Sequence, residues 1–198
     1  NNTIQYSWLV EMAREFFGFT DDHINTNNWE ALYDRAAEEM SADNWSEQVL
    51  RKSKLEAVFL TNDFDDPLEG FDTSVYIPCL RTDDLVFHLA RPEVQQRLDM
   101  VTGSSFNDPQ SLKEALGQLF QHFSDHQARA CAISLPPDFT PAPVSTNRAA
   151  TAIEAIRLMG EETDASHRRV ISNFVFWTLA ELCADYQWPF DLMIGVNR

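Results

Sequence analysis

Leu55-Glu56-Ala57-Val58-Phe59-Leu60-Thr61-Asn62-Asp63-Phe64-Asp65-Asp66-Pro67 is a short apolar run that stops in a cluster of carboxylates. It reads as a buried strand ending in a loop, because a continuous apolar run of this length bounded by turn-forming residues fits a strand covered on both faces. Three later stretches share the design. Ser74-Val75-Tyr76-Ile77-Pro78-Cys79-Leu80 runs into Arg81, Ala130-Cys131-Ala132-Ile133-Ser134-Leu135 into Pro136-Pro137-Asp138, and Phe190-Asp191-Leu192-Met193-Ile194-Gly195 into Asn197-Arg198. Helical stretches separate the four, so the expected class is α/β, with parallel strands joined by helical crossovers. Crossovers of one hand return the chain to one starting edge, which would bring Asp63, Arg81, Asp138 and Arg198 to a single cleft at the strand C-termini, where α/β folds bind ligands.

The chain of 198 residues, 44% hydrophobic, fits one α/β domain over 1–198: a helical segment at 1–54, then a four-strand unit with crossover helices at 55–198. A net charge of −16 repels nucleic-acid phosphates and anionic membranes. No segment approaches the roughly 18 continuous apolar residues of a membrane span. Cys79, Cys131 and Cys183 are odd in number and lie in apolar sequence, which suits buried, reduced thiols and a cytoplasmic setting. The chain opens on Asn1-Asn2-Thr3 without Met or a leader and stops at Arg198 directly after an expected strand, so it reads as cut at both ends.

Trp8, Leu9, Met12 and Phe16 recur at helical spacing before Gly18, a natural C-terminal stop. Asn28 and Ser46 are the expected caps of two further helices. Pro92 opens a helix that Gly103 closes, and Asp108-Pro109 begins another whose Leu112, Leu116, Leu119, Phe120 and Phe123 form one stripe. Leu85 to Ala90 fits loop or helix equally. The proline-rich stretch 136–143 must be a loop at the functional edge. Helical periodicity returns at 148–159 and 165–186.

His122 and His126, four apart on a helix, have the spacing of two metal ligands, but no third ligand accompanies them, and histidine near a helix C-terminus is also favourable against the dipole. Asp63, Asp65 and Asp66 fit a general base, a metal site or turn-capping aspartates. Arg81 at a strand end has the geometry to clamp a carboxylate with two parallel bonds; its bland alternative is an ion pair with Asp83 or Asp84.

Several of these stretches resemble the uronate isomerase family, a branch of the metal-dependent amidohydrolase superfamily built on a (β/α)8 TIM barrel. Trp8, Arg14, Phe17 and Gly18 resemble its tryptophan helix ending in Phe-Gly. Leu60-Thr61-Asn62-Asp63 with Asp66-Pro67 resembles its Thr-Thr-Asp-Asp-Pro turn, lengthened by two residues. Pro78-Cys79-Leu80-Arg81 is similar to Pro-x-x-Arg-Pro, and residues 192–198 to a His-Ile-Gly-Ala-x-Arg strand end, with Met193 in place of the histidine.

The resemblance implies the middle of the barrel, strands two to five. Family members interconvert D-glucuronate with D-fructuronate, and D-galacturonate with D-tagaturonate, in carbohydrate catabolism. By this likeness Asp63 is the catalytic residue, and Arg81, Arg198 and Trp8 bind substrate. The first-strand His-x-His pair and last-strand aspartate that hold the family's divalent, zinc-like metal have no counterpart here. These 198 residues are therefore expected to carry no metal and, alone, no catalysis. The expected partner is a small sugar acid, with no nucleic acid or membrane, in a homo-oligomer. The alternative is a non-catalytic sugar-acid-binding or assembly module that has lost its metal site; an unrelated acidic interaction protein ranks last.

Overall fold

The computed structural model describes residues 3–195, in a chain that divides into two compact units, Asn1–Glu56 and Ala57–Arg198. The first unit holds α1 (Ile4–Phe17), α2 (Trp29–Met40) and α3 (Trp45–Ser53). The Thr3 side chain accepts from the Tyr6 N–H to start α1, and Gly18 ends it at φ 62°, a conformation that glycine takes without steric cost. Asn28 does precede α2, but its side chain makes no cap bond. Its Oδ1 accepts from the Asn25 N–H at 2.8 Å and its Nδ2 donates to Asp21 at 2.7 Å, so it organises the preceding loop instead. The third helix starts ahead of Ser46, with Trp45 already helical and Asn44 before it. Trp45 is held there by stacking on Phe17 at 5.7 Å and meeting Phe16 edge-on at 5.9 Å, which outweighs the cap preference of a serine.

The second unit contains β1 (Val58–Phe59), β2 (Tyr76–Ile77), β3 (Cys79–Arg81), β4 (Ala130–Leu135) and β5 (Phe190–Ile194). Every pairing is parallel and joins neighbours in chain order: β1 with β2, β3 with β4, β4 with β5. The expected second strand is split by Pro78, which has no N–H to give a ladder. Pairing resumes beyond it, because the Asn62 N–H donates to Cys79 O at 2.9 Å and the Arg81 N–H donates to Asn62 O at 3.0 Å. The first strand is shorter than the apolar run that predicted it. Leu55 is exposed and only the segment from Val58 onward finds a partner.

Between the strands lie α4 (Asp83–Phe87), α5 (Pro92–Thr102), α6 (Pro109–Asp125), α7 (Thr146–Met159) and α8 (Ala165–Asp185). The ambiguous stretch Leu85 to Ala90 is thus helical as far as Phe87, where α4 ends, and a turn beyond it. The Asp108 side chain accepts from the Gln110 and Ser111 amides while the Ser111 hydroxyl accepts from the Asp108 N–H, a complete capping box with Pro109 in the first turn. Leu80, Cys131 and Ile133 pack into the main core with Leu112, Leu116 and Phe120 of α6 and with Ile153, Val175 and Leu179. Cys79, Ala130 and Ala132, alternating with them along the strands, form a separate small cluster on the opposite face. All three cysteines are free and buried, and burial pushes the Cys79 thiol up to about 11 and the Cys131 thiol well above its ordinary value. Among the described residues no helix is long and apolar enough to cross a membrane.

The cap of α6 gives a direct test. Asp108→Ala removes Oδ1, the one oxygen that accepts from both amides, and should cost about 1 kcal/mol, read as a lower urea midpoint at unchanged slope.

Candidate functional site

The parallel order brings the C-terminal ends of the strands to one edge, and there the side chains sort into two groups. Around Arg81, the guanidinium Nε lies 3.2 Å from Asp83 Oδ2, and the other oxygen of Asp83 accepts from the Ser134 N–H at 3.2 Å. Thr82, fully buried, donates both its N–H and its hydroxyl to Ala132 O at 3.0 Å. Asp83 therefore ties the end of β3 to the end of β4, and Arg81 leans on it through one nitrogen with its side chain about half exposed (49%).

The second group centres on Arg97 of α5. Its Nε donates to Asp65 at 2.8 Å and its Nη2 to the other Asp65 oxygen, while Nη1 reaches Asp84 at 2.9 Å; Asp63 stands farther off at 3.7 Å. The guanidinium also lies 4.6 Å over the Phe64 ring. The Arg97 hydrogen bond holds the Asp65 carboxyl below its ordinary range against the opposing effect of burial, and the same bond raises Arg97. Asp66 is spent on the turn, accepting from Asn62 Nδ2 at 3.1 Å and from the Leu68 N–H at 2.8 Å. Of the three aspartates only Asp63 keeps a largely exposed side chain, at 61%.

The single cleft expected from the sequence does not form as such. Asp63 and Arg81 end adjacent strands yet look to different partners, Arg97 and Asp83. Asp138 lines a separate small cavity, and Arg198 lies outside the described residues. Trp8 belongs to the helical unit and is 62% exposed there. His122 and His126 do face the same way, with ring centres 4.6 Å apart. However, His122 Nε2 meets Asp66 O at 3.2 Å and His126 Nδ1 meets His122 O at 2.8 Å, so both rings are engaged by backbone carbonyls. Among the described residues no three His, Cys, Asp or Glu side chains are grouped to hold a metal ion. Asp65, Asp84 and Asp66 are engaged by Arg97, Asn62 and a backbone amide, and Asp63, the exposed carboxylate beside them, has no histidine or second free carboxylate grouped with it among the described residues, so this donor set does not fit the metal that the resemblance implies. The residue missed from sequence is Arg97. It sits 32 positions beyond Asp65 in the middle of a helix, where nothing local distinguishes it from a solvated arginine.

The sequence model of the glucuronate isomerase family matches residues 2–198. The chain belongs to that family. Solved structures agree on the fold. The uronate isomerase of Thermotoga maritima has a TM-score of 0.81 at 19% identity, over 98% of this chain and 44% of that one. The glucuronate isomerase of Caulobacter crescentus gives 0.82 at 17%, over 98% and 42%. The uronate isomerase of Bacillus halodurans gives 0.65 at 17%, over 94% and 39%. This chain thus spans less than half the length of the structures it matches, and its parallel strands with helical crossovers follow their TIM-barrel-like fold. No curated protein matches it.

In this glucuronate isomerase family member, Arg97→Met would leave Asp65 and Asp84 facing each other without their shared cation, destabilising the fold by about 1–3 kcal/mol at neutral pH. Asp65 has a folded-state pKa below its unfolded value near 3.8, so its contribution is present above that value and is lost as pH falls through the lower folded one. The stability gap between wild type and variant should therefore narrow on acidification below pH 3.8 in urea titrations; a gap that stays constant would assign Arg97 a packing role over Phe64.

Proposed function

We propose that this chain is the sugar-acid-binding part of a uronate isomerase, with Arg81 holding the substrate carboxylate and Asp63 placed as the base beside the sugar. The observation that carries the reading is Arg81 itself. It stands at a strand C-terminus, half exposed, with Asp83 engaging its Nε and no other partner for its guanidinium among the described residues. A fork of N–H donors in that position suits the two oxygens of a carboxylate, and Asp83, fixed by Ser134, holds the fork in orientation. The proposed isomerisation takes a proton from C2 of the open-chain aldehyde and returns one to C1, while the O2 hydroxyl proton passes to O1, leaving the carbonyl at C2; Asp63, with its exposed carboxylate, is the group proposed to carry the carbon-bound proton. Trp8 and Arg198 are proposed as further substrate contacts on the strength of the family resemblance.

Two observations favour the second reading, a non-catalytic sugar-acid-binding module. Asp63 shares Arg97 with Asp65 and Asp84, a structural ion-pair group, and Met193 stands where the resemblance has histidine. In either reading the partner is a small sugar acid, neither nucleic acid nor membrane, and the setting is cytoplasmic, supported by the charge of −16 and three free thiols. A homo-oligomer is also proposed, since both edge strands carry exposed apolar side chains, Phe59 on β1 and Ile194 on β5.

Calorimetric titration with D-glucuronate tests Arg81. Arg81→Lys keeps the charge but loses the fork, and should weaken binding about tenfold, or ~1.4 kcal/mol, with folding nearly unchanged. Equal affinities would return Arg81 to its ion pair with Asp83 alone, and loss of folding would make it structural. Elemental analysis of the purified chain should find far less than one zinc or manganese per molecule; a stoichiometric, tightly held ion would redirect attention to His122 and His126.

A further inference from the structure

The loop after β4 builds a cavity that neither Arg81 nor Asp63 lines. It encloses about 250 Å³ between the loop, α4 and α8. Its walls combine Phe87 and Phe139, which meet edge-to-face at 5.1 Å, with Asp138, Thr140, Arg169 and Ser172. Three attachments fix the loop in place. The Phe139 N–H closes a turn onto Pro136 O at 3.0 Å, and the Phe139 ring packs on Phe176 at 5.6 Å. The third is Asn173, a buried side chain on α8, which accepts from the Ala142 N–H at 2.7 Å and donates to Arg169 O at 2.9 Å, so one amide ties the loop to the helical turn that carries Arg169. A pocket held this way is preformed, and a ligand need not order it.

Charge is the second observation. Arg14, Arg81, Arg91, Arg97 and Arg157 each have a carboxylate within 4.0 Å, as expected where acids outnumber bases 31 to 15. Arg35, Arg51, Arg129, Arg148, Arg168 and Arg169 have none among the described residues, and of these six Arg169 is the one that lines this cavity, which it shares with Asp138. Both groups line the cavity, and no ion pair within 4.0 Å joins them. A bare inorganic anion would satisfy Arg169 but bring only acceptors to Asp138, whereas a molecule with a carboxylate at one end and hydroxyl donors along its length meets both. Ser172 and Thr140 add hydroxyls, and the phenyl rings offer a surface for C–H groups. The volume, just under the roughly 300 Å³ lower bound for drug-sized ligands, suits a monosaccharide-sized molecule.

We propose that this cavity is a binding site for a small polyhydroxy carboxylate, with Arg169 clamping the carboxylate and Asp138 accepting from a hydroxyl, distinct from the Arg81 site. The test titrates D-gluconate, and its neutral counterpart D-glucitol, into the 198-residue chain and follows the Arg169 Nε–H and Phe139 ring resonances by NMR. Gluconate should shift both with millimolar affinity or better, glucitol should shift them much more weakly, and Arg169→Ala should weaken the Phe139 response at least tenfold. Arg169→Lys should fall between the two, and carries the test if the alanine variant does not fold. Equal responses to gluconate and glucitol, an Arg169→Ala titration matching wild type, or no shift by about 50 mM gluconate would overturn the proposal. Because the resonances belong to this cavity, a failure of uronate to bind at Arg81 leaves the result interpretable.

Discussion

A proline in the middle of a parallel sheet removes one ladder donor, and the architecture of the larger unit depends on how that loss at Pro78 is made good. Asn62 does it twice over. Its backbone spans the break, donating to Cys79 O and accepting from Arg81 N–H, and its side chain, almost wholly buried, takes the Cys79 N–H on Oδ1 and gives Nδ2 to Asp66. One residue thus fixes the register of the first strand against the second and holds the aspartate turn that follows. Without it Asp63 and Arg81 would have no reason to end at the same level, since a slip by one residue would send every side chain to the other face.

Electrostatics then divides the edge that this register creates. In a chain carrying −16, an arginine near carboxylates is quickly enclosed by them, and Arg97 collects three. That cluster stabilises the turn but removes Asp65 and Asp84 from the pool of available acids. A cation stays usable for a ligand only where the fold keeps acids at a distance or engages them elsewhere. Asp83 achieves this beside Arg81 because Ser134 occupies its other oxygen. The pinned loop achieves it for Arg169 by setting Asp138 on the same cavity without contact.

How much of this could be read from sequence depended on whether the deciding interaction was local. The strand Ala130–Leu135 and the helix begun by Asp108-Pro109 were legible, since an unbroken apolar run and a capping box are set by adjacent residues. The order and sense of β3, β4 and β5 followed from the helices between them; the expected helix between the first two runs is absent, and residues 60–75 bring the chain back to a parallel pairing of β1 with β2 without one. The start of α3 was misread because Trp45 is drawn into the helix by Phe17, a contact 28 positions away. The extent of β1 was overestimated because Leu55 and Ala57 promise burial that pairing does not supply. The candidate site was legible only as an edge. That Asp63 belongs to Arg97 and Arg81 to Asp83 is decided by helices α5 and α4, and no spacing rule within the strands carries that information.

The alternation along the strands places one more constraint on the chemistry. Arg81 pairs in register with Ala132, and Ala132 with Asp191; two residues on, Ser134 pairs with Met193. These side chains share the face opposite the main core, which is lined by small residues at Cys79, Ala130 and Ala132 and becomes polar at the strand ends. Met193 therefore sits beside Ser134 on the face that carries Arg81, at the position where the resemblance has a histidine. A thioether is a weak hydrogen-bond acceptor and exchanges no proton near neutrality, so proton transfer cannot be assigned to that position in this chain. On the described part of this edge the proton transfer proposed above is left to Asp63, whose carboxylate is the most exposed of those that Arg97 collects.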